Sequence, residues 1–288
     1  MILSFLRPSH TILAALSYLL GASLARYLGL EFSLLPFLLG LLWLAFLLSA
    51  VNLLDAAYRN PAQPYLPEQS APQREEYRRK LLLLATGLLT VVGALTVPLI
   101  ALHLADLLVL VILSLSALTA LAYAIPPVRL ANRGLGEFAL AILVGCLAPA
   151  LAFSLQTAQL HRLLPAYIFP LTFLALACFL ALDFPAFATD QKYARRTLLI
   201  RLGWQAAMPA HNGFLAAAYL LLAAMPFVGV PFGLVWPALL TIPLAAFQVY
   251  QFRRIAGGQK PLWPLLTSTA LALFGLTTYL LTLTLWLR

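Results

Sequence analysis

The chain has 288 residues, of which 63% are apolar and only 9% are charged, and its mean hydropathy is +0.95. Soluble globular domains have about 45–50% apolar and about 25% charged residues, so this composition excludes a soluble enzyme, a disordered tail and a disulfide-rich secreted scaffold. The net charge of +9 would indicate nucleic-acid binding in a soluble chain, but in a membrane protein it reflects the gathering of basic residues in cytoplasmic loops. The sequence therefore predicts an integral membrane protein with no nucleic-acid partner.

Apolar segments of about 20 residues, the length that crosses a bilayer core of about 30 Å, recur along the whole chain. They are too long and too rich in Leu and Ala for the strands of a membrane β-barrel, which alternate over about 10 residues. We therefore predict an all-α, polytopic membrane protein with a single domain covering residues 1–288. The nine predicted spans are 11–30, 34–56, 81–102, 105–125, 137–157, 164–186, 213–231, 233–251 and 265–287.

The basic residues sort strongly between the two sides of the membrane that nine spans define. Fifteen of the 18 lie on the side of the N-terminus, whereas the other side has only Arg26, Arg162 and Arg288. The positive-inside rule therefore predicts that the N-terminus is cytoplasmic, together with four loops. These loops lie near 57–80, 126–136, 187–212 and 252–264.

The first of these loops follows a span that ends in carboxylate and amide side chains. Asn52 and Asp55 are three residues apart and share one helix face, and Asn60 follows them. Mg²⁺ takes a few carboxylate oxygens and completes its octahedron with substrate phosphate and water. The segment therefore suits a Mg²⁺–diphosphate site, although ordinary interfacial helix caps would have the same residues.

The third loop repeats this pattern. Asp183 and Asp190 are seven residues apart, a spacing that returns to nearly the same face of a helix, although Pro185 interrupts the first turn. Lys192 and Arg195 follow, and such cations bind the remaining phosphate oxygens and stabilise a departing diphosphate. No acidic residue lies at the middle of a span, which weighs against an ion-coupled transporter.

The second loop adds two more cations. Pro126 and Pro127 end the fourth span, because proline cannot supply a helical amide, and Arg129 and Arg133 follow them. Both arginines stand on the side of the acidic loops, where positive-inside sorting alone would also place them.

With these loops in view, the chain resembles the UbiA-type intramembrane prenyltransferase superfamily over its whole length, and most of all the chlorophyll synthase and menaquinone-type branches. Residues Asp190 to Gly203 look like the family's second acidic motif, with basic residues, a Thr and a closing apolar-Gly segment. Residues Tyr123 to Glu137 are similar to its Tyr-x-x-Pro-Pro-x-Arg/Lys loop. The stretch Pro64 to Pro67 is similar to its Arg-Pro-x-Pro segment, but has Pro64 and Tyr65 where Arg-Pro is expected.

The resemblance implies helices around a central cavity that opens to lipid. It also implies Mg²⁺-dependent transfer of a prenyl group from an allylic polyprenyl diphosphate to an aromatic or related hydrophobic acceptor in the bilayer. The metal ligands it implies are Asn52, Asp55, Asn60, Asp183 and Asp190. The diphosphate contacts it implies are Lys192, Arg195, Arg129 and Arg133. The catalytic residues it implies are Asp183, Asp190 and Tyr123, where Tyr123 either steadies the carbocation or is an interfacial tyrosine.

The motifs also depart from the family pattern. With Asn52 on the asparagine of Asn-Asp-x-x-Asp-x-x-x-Asp, the three acidic positions hold Leu53, Ala56 and Asn60. Asp55 is the only acid there, and Ala186 replaces the middle acid of the second motif. We therefore predict weak Mg²⁺ affinity. The alternative function is a catalytically weakened homologue that binds an isoprenoid lipid or acts structurally in a membrane complex.

The histidines and cysteines show no metal-ligand spacing. The sequence therefore predicts that the histidines are interfacial and that the cysteines are small core residues. These residues are His10, His103, His161, His211, Cys146 and Cys178.

Overall fold

The computed structural model describes residues 5–66 and 69–287. Pro67, Glu68 and Arg288 lie outside the described residues. Within the described ranges the regular secondary structure is entirely helical. The helices are α1 (Pro8–Tyr27), α2 (Leu34–Ala57), α3 (Ala71–Ala101), α4 (Leu107–Ala124), α5 (Gly136–Thr157), α6 (Leu164–Asp183), α7 (Phe187–Lys192), α8 (Leu198–Ala224), α9 (Phe232–Leu239), α10 (Ile242–Ala256) and α11 (Trp263–Trp286).

Among these residues, eight segments are long and apolar enough to cross a membrane: α2, α3, α4, α5, α6 with α7, α8, α9 with α10, and α11. The first predicted span corresponds to α1, which has 20 residues and is therefore about 30 Å long. Protein surrounds much of α1, since eleven of its 20 residues are buried, including Ser17 and Ser23. A helix that faces protein rather than lipid tolerates such polar residues. The predicted all-α, multi-pass membrane architecture is confirmed.

The prediction of a loop over residues 187–212 is wrong. Residues 187–192 form α7, and α8 begins at Leu198, where the Thr197 hydroxyl accepts a hydrogen bond from the Ile200 amide (3.3 Å). Gly203 then kinks α8 with φ 72° and ψ 160°, a conformation that a residue without a Cβ adopts readily. The first turns of α8 contact other helix ends, since the Leu198 amide donates to Glu137 Oε1 (2.8 Å) and the Trp204 ring packs against Phe184 with centroids 5.0 Å apart.

Small residues let the central helices approach one another closely. A Cβ on Gly21 of α1 would clash with the backbone of Pro149 in α5, and one on Gly145 of α5 would lie 2.6 Å from the Cα of Thr172 in α6. Because lipid tails are as apolar as Leu, membrane helices associate through such close packing rather than through the hydrophobic effect. Close packing thus fixes α1, α5 and α6 against one another, and with them the loops at their ends.

Four segments meet at one end of the bundle, which we call the loop end: residues 5–7, 58–66, 125–135 and 193–197. Hydrogen bonds join them: Asn60 donates to the carbonyl of Tyr193 (3.0 Å), and the Arg196 amide donates to Asn132 Oδ1 (2.9 Å). At the other end, the guanidinium of Arg26 lies over the Trp286 ring. The loop end therefore carries the basic loops, whereas its cytoplasmic orientation stays a prediction.

Candidate functional site

A cavity of about 260 Å³ lies at the loop end, and we call it the acidic cavity because three carboxylates line it. Two guanidinium groups and an apolar portion complete its lining. The carboxylates are Asp183, Asp190 and Glu137. The guanidinium groups are Arg7 and Arg195, and the apolar and aromatic part includes Leu140, Phe179, Leu182 and Tyr123.

The end of α6 explains how Asp183 and Asp190 come to the same cavity. Asp183 is the last residue of α6, and a 3₁₀ turn over Phe184–Ala186, which contains Pro185, leads directly into α7. Asp190 lies in α7, and its carbonyl accepts a hydrogen bond from the Arg195 amide (2.8 Å). The chain therefore turns tightly after Asp190 and returns the Arg195 side chain to the cavity.

Asp55 stands behind the acidic cavity at the end of α2 and is only 1% exposed. Its Oδ2 accepts hydrogen bonds from Arg7 Nη2 (3.1 Å) and Arg195 Nη2 (2.9 Å), whereas its Oδ1 has no partner among the described residues. Arg7 also donates from Nη1 to the Tyr123 hydroxyl (3.1 Å). The Asp55 carboxylate raises the pKa of Arg195 above its ordinary value. Asp55 thus holds both arginine side chains in place and keeps them positively charged.

Asn52 and Asn60, which the sequence groups with Asp55, make different contacts. Asn52 donates from Nδ2 to the carbonyl of Leu6 (2.9 Å), which anchors the segment that carries Arg7, and its buried Oδ1 has no partner among the described residues. Asn60 lies in another cavity, where it bonds to Tyr193 and its Oδ1 accepts from the Ala62 amide (3.0 Å). The structure therefore does not bring Asn60 to Asp183 and Asp190.

This second cavity, of about 280 Å³, adjoins the first, and we call it the arginine cavity. Arg195 lines both cavities, and Arg59 and Arg129 line only the second. No acidic residue in the described ranges lines it.

Two of the cations predicted to contact the diphosphate lie elsewhere. Lys192 is exposed, with its Nζ 5.4 Å from the centroid of the Tyr193 ring. Arg133 is also exposed and donates to the carbonyl of Pro127 (2.7 Å). Neither side chain lines the acidic or the arginine cavity.

The sequence interpretation missed three residues of the acidic cavity: Arg7, His10 and Glu137. His10 and His211 are buried within the protein. His10 packs its ring against Phe179, with centroids 5.1 Å apart, and Glu137 accepts from the Leu198 amide through Oε1 (2.8 Å). The motifs gave none of these three residues a role in the site, because distant helix ends bring them together, although Glu137 closes the Tyr123–Glu137 loop motif.

The positions and pairing of the carboxylates indicate which part of this site fits Mg²⁺. No group of three or more His, Cys, Asp or Glu in residues 5–66 and 69–287 is placed to hold a metal ion. Mg²⁺ in phosphate sites, however, is commonly bound by one or two carboxylates plus the substrate's phosphates. Asp183 and Asp190 line the cavity and fit that arrangement, whereas Asp55 does not line it and has its Oδ2 paired with two arginines.

No family model and no curated protein matches the chain, but several solved structures are similar to it over nearly its full length. A UbiA homologue from Archaeoglobus fulgidus bound to DMAPP and Mg²⁺ superposes with a TM-score of 0.63 at 17% identity, covering 98% of each chain. The chain therefore has the UbiA fold.

Two further structures agree. Digeranylgeranylglyceryl phosphate synthase gives a TM-score of 0.61 at 15% identity, over 100% of this chain and 98% of that chain. The apo structure of a UbiA homologue from Aeropyrum pernix K1 gives 0.56 at 16% identity, over 96% of each chain. The fold expected from the three loop motifs is confirmed.

Proposed function

We propose that the protein transfers a prenyl group from an allylic polyprenyl diphosphate to an aromatic or related hydrophobic acceptor in the membrane, with Mg²⁺ as cofactor. The observation that carries this proposal is the acidic cavity. It places two carboxylates, Asp183 and Asp190, together with two fixed guanidiniums, Arg7 and Arg195, at the end of a lipid-embedded bundle. Similar structures of the same fold are bound to DMAPP and to GPP with Mg²⁺.

In this proposal Arg7 and Arg195 bind the oxygens of the donor diphosphate, because charge-assisted hydrogen bonds from guanidinium groups suit phosphate. Asp55 and the Tyr123 hydroxyl keep the two guanidiniums in position. Tyr123 is thus primarily a positioning residue. Asp183 and Asp190 would hold Mg²⁺, which would supply positive charge to neutralise the diphosphate.

The reaction breaks the bond between the allylic carbon and the diphosphate oxygen, and the electron pair leaves with the diphosphate. The acceptor forms the new bond to the allylic cation and releases a proton. Leu140, Phe179 and Leu182 line the same cavity, and these side chains exclude water that would otherwise capture the cation.

We further propose that residues 1–288 act as one domain and that the loop end faces the cytoplasm. In a bacterium, the protein would lie in the inner membrane. The basic loops at that end support the orientation. Soluble diphosphate would then leave on the cytoplasmic side, while the prenyl chain and the acceptor stay in the bilayer.

The alternative function is a weakened homologue that binds an isoprenoid lipid or acts structurally in a membrane complex. The pairing of Asp55 with two arginines favours it, because their positive charges already neutralise this carboxylate and would oppose a metal ion beside it. A pure binder would hold the donor without releasing diphosphate.

The two functions are separated by incubating the purified protein in lipid vesicles with radiolabelled geranyl diphosphate, Mg²⁺ and a membrane lipid extract as the source of acceptor. We expect Mg²⁺-dependent release of diphosphate and loss of that release in Asp190→Asn. Glu76→Gln is the matched control, since Glu76 is 65% exposed and, among the described residues, pairs only with Lys80 on α3. Binding of the donor without release, in the presence of acceptor, would favour the alternative.

A further inference from the structure

A shallow groove lies between the end of α10 and the start of α11, and we call it the α10–α11 groove. Trp263 at the start of α11 packs on Trp204 (ring centroids 5.8 Å apart), which packs on Phe187 of α7 (5.4 Å). The groove is therefore at the loop end of the bundle. Its lining includes two cations, a buried amide, a tyrosine and two leucines: Arg254, Lys260, Gln251, Tyr250, Leu262 and Leu265.

The two cations of the groove, Arg254 and Lys260, have no acidic partner. Asp190 is the last acidic residue of the sequence, so residues 191–288 contain no acidic side chain that could neutralise them. Among the described residues, no acid from the earlier helices lines the groove or forms an ion pair with either cation. Arg254 Nε donates instead to the neutral side-chain oxygen of Gln259. The groove thus keeps two positive charges that attract an anion.

The buried amide of Gln251 adds an unpaired hydrogen-bond acceptor. Gln251 is only 8% exposed, and its Nε2 donates to the Thr269 hydroxyl (3.4 Å). That hydroxyl donates in turn to the carbonyl of Leu265 (2.6 Å), which fixes the direction of the amide. Gln251 Oε1 is then left without a partner among the described residues. Native structures rarely leave a buried acceptor unsatisfied, so this oxygen points to a ligand that carries a hydrogen-bond donor.

Large apolar side chains form the outer part of the groove. Phe247 and Tyr250 stack with ring centroids 6.4 Å apart, and both are exposed, as are Leu262 and Leu265. The Arg254 guanidinium lies 5.9 Å from the centroid of the Tyr250 ring, and tyrosine rings gather at the level of the lipid headgroups. A ligand that matches the whole groove therefore has an anionic part and a hydrocarbon part.

We propose that the α10–α11 groove binds an anionic phospholipid from the leaflet at the loop end. The lipid phosphate contacts Arg254 and Lys260, and a headgroup hydroxyl, as in phosphatidylglycerol, donates to Gln251 Oε1. The acyl chains lie along the exposed rings and leucines. Basic pockets between membrane helices recognise acidic headgroups in this way.

The size of the groove favours a lipid over a soluble phosphate compound. It holds only about 40 Å³, far less than the roughly 300–1,000 Å³ of pockets that enclose a small molecule. A headgroup can enter such a groove while the rest of the lipid stays in the bilayer. The proposal does not rest on the proposed function, because neither cation lines the acidic or the arginine cavity.

Positive-inside sorting alone would also place basic residues at this end of α10. Arg253 separates the two explanations, because it adjoins Arg254, has the same charge and is also exposed, but does not line the groove. A diffuse attraction to acidic lipid depends on both arginines alike, whereas a defined site depends on Arg254.

Native mass spectrometry of the purified full chain, titrated in neutral detergent with phosphatidylglycerol or phosphatidylcholine, measures the binding. We expect a saturable site that prefers phosphatidylglycerol and weakens about 5-fold in Arg254→Gln or Lys260→Gln, as for the loss of one cation near a membrane surface. Arg253→Gln is the matched control and should bind like wild type. Equal weakening in Arg253→Gln and Arg254→Gln, or equal binding of the two lipids, would overturn the proposal.

Two other occupants of the groove are also outcomes of this titration. Competition by glycerol 3-phosphate as strong as that by phosphatidylglycerol would assign the groove to a soluble phosphate. Protein dimers that exclude phosphatidylglycerol would assign it to a second copy of the chain. Either result overturns the proposal.

Acetylation of the wild-type lysines gives an independent answer if a variant fails to fold. In phosphatidylcholine nanodiscs, added phosphatidylglycerol should protect Lys260 more than Lys192, which is also exposed but lies outside the groove. Equal protection of the two lysines would show diffuse attraction only and would overturn the proposal. Neither measurement depends on prenyl transfer, so failure of the lipid site is distinguishable from failure of the proposed function.

Discussion

Replacement of Asp55 by Asn tests whether this carboxylate organises the loop end. The side chain is 1% exposed and accepts from Arg7 (3.1 Å) and Arg195 (2.9 Å), whose side chains are 33% and 23% exposed. Breaking a fully buried ion pair from one side costs about 3–5 kcal/mol, and partial solvation of the two guanidiniums reduces this to about 2–3 kcal/mol. The substitution removes the only negative charge that either arginine contacts in the described residues.

Thermal unfolding in detergent micelles measures the effect. At about 2–4 °C per kcal/mol for chains of this size class, we expect the Tm of Asp55→Asn to fall by about 4–12 °C. Added pyrophosphate should recover more of the loss in the variant than it adds to wild type, because it supplies the missing negative charge. Glu76→Gln, which breaks an exposed pair on α3, should leave the Tm almost unchanged, because solvent screens exposed ion pairs.

A double-mutant cycle with Arg7→Gln isolates the interaction from other effects of the substitution. We expect the double variant to be less destabilised than the sum of the single variants. An unchanged Tm in Asp55→Asn, or strict additivity in the cycle, would refute the inference that Asp55 holds Arg7 in place.

Three further predictions concern the metal, the cavity wall and the helix packing. Mg²⁺ alone should bind weakly, with saturation well above micromolar concentrations, and should bind more tightly once pyrophosphate is present, because two carboxylates leave much of its coordination to phosphate oxygens. Calorimetry with and without pyrophosphate measures both affinities. Saturation by micromolar Mg²⁺ alone would contradict this prediction. Tyr123→Phe removes the acceptor for Arg7 Nη1 and should weaken geranyl diphosphate binding by no more than about 10-fold without loss of folded protein, as equilibrium binding and thermal unfolding will show. Gly145→Val should abolish accumulation of folded protein, because the side chain would meet the backbone of Thr172, whereas Gly87→Val, at a position with open space, should accumulate normally in a size-exclusion assay.

The sequence predicts some of the residues of the acidic cavity and not others. Asp183 and Asp190 are close in the chain, and the helical period across one short turn is enough to bring them to one cavity. The family resemblance grouped Asn60 with Asn52 and Asp55 as a metal ligand, but α2 ends at Ala57, so Asn60 lies beyond the helix and bonds to Tyr193 instead.

The two exposed cations, Lys192 and Arg133, show where motif position fails to predict a contact with the site. Lys192 and Arg133 match the motif by position, but both side chains are exposed to solvent. Their neighbours Arg195 and Arg129 face cavities instead. Motif spacing alone cannot distinguish such neighbours, because left-handed residues such as Ala194 and Arg129 itself change the direction of the chain within one residue.

The sequence by itself determined the membrane character, the number of apolar crossings to within one, and the end of the bundle at which charge gathers. These features depend on composition and on the length of apolar runs, because a bilayer core requires helices of about 20 apolar residues whose backbone groups are hydrogen-bonded internally. Only the tertiary structure decided that Arg7 and Glu137 line the acidic cavity, that Asp55 is paired with two arginines, and that three arginines surround a second cavity. The physical reason is that these contacts join residues 48 to 140 positions apart, whose proximity depends on how closely α1, α5 and α6 pack through Gly21 and Gly145.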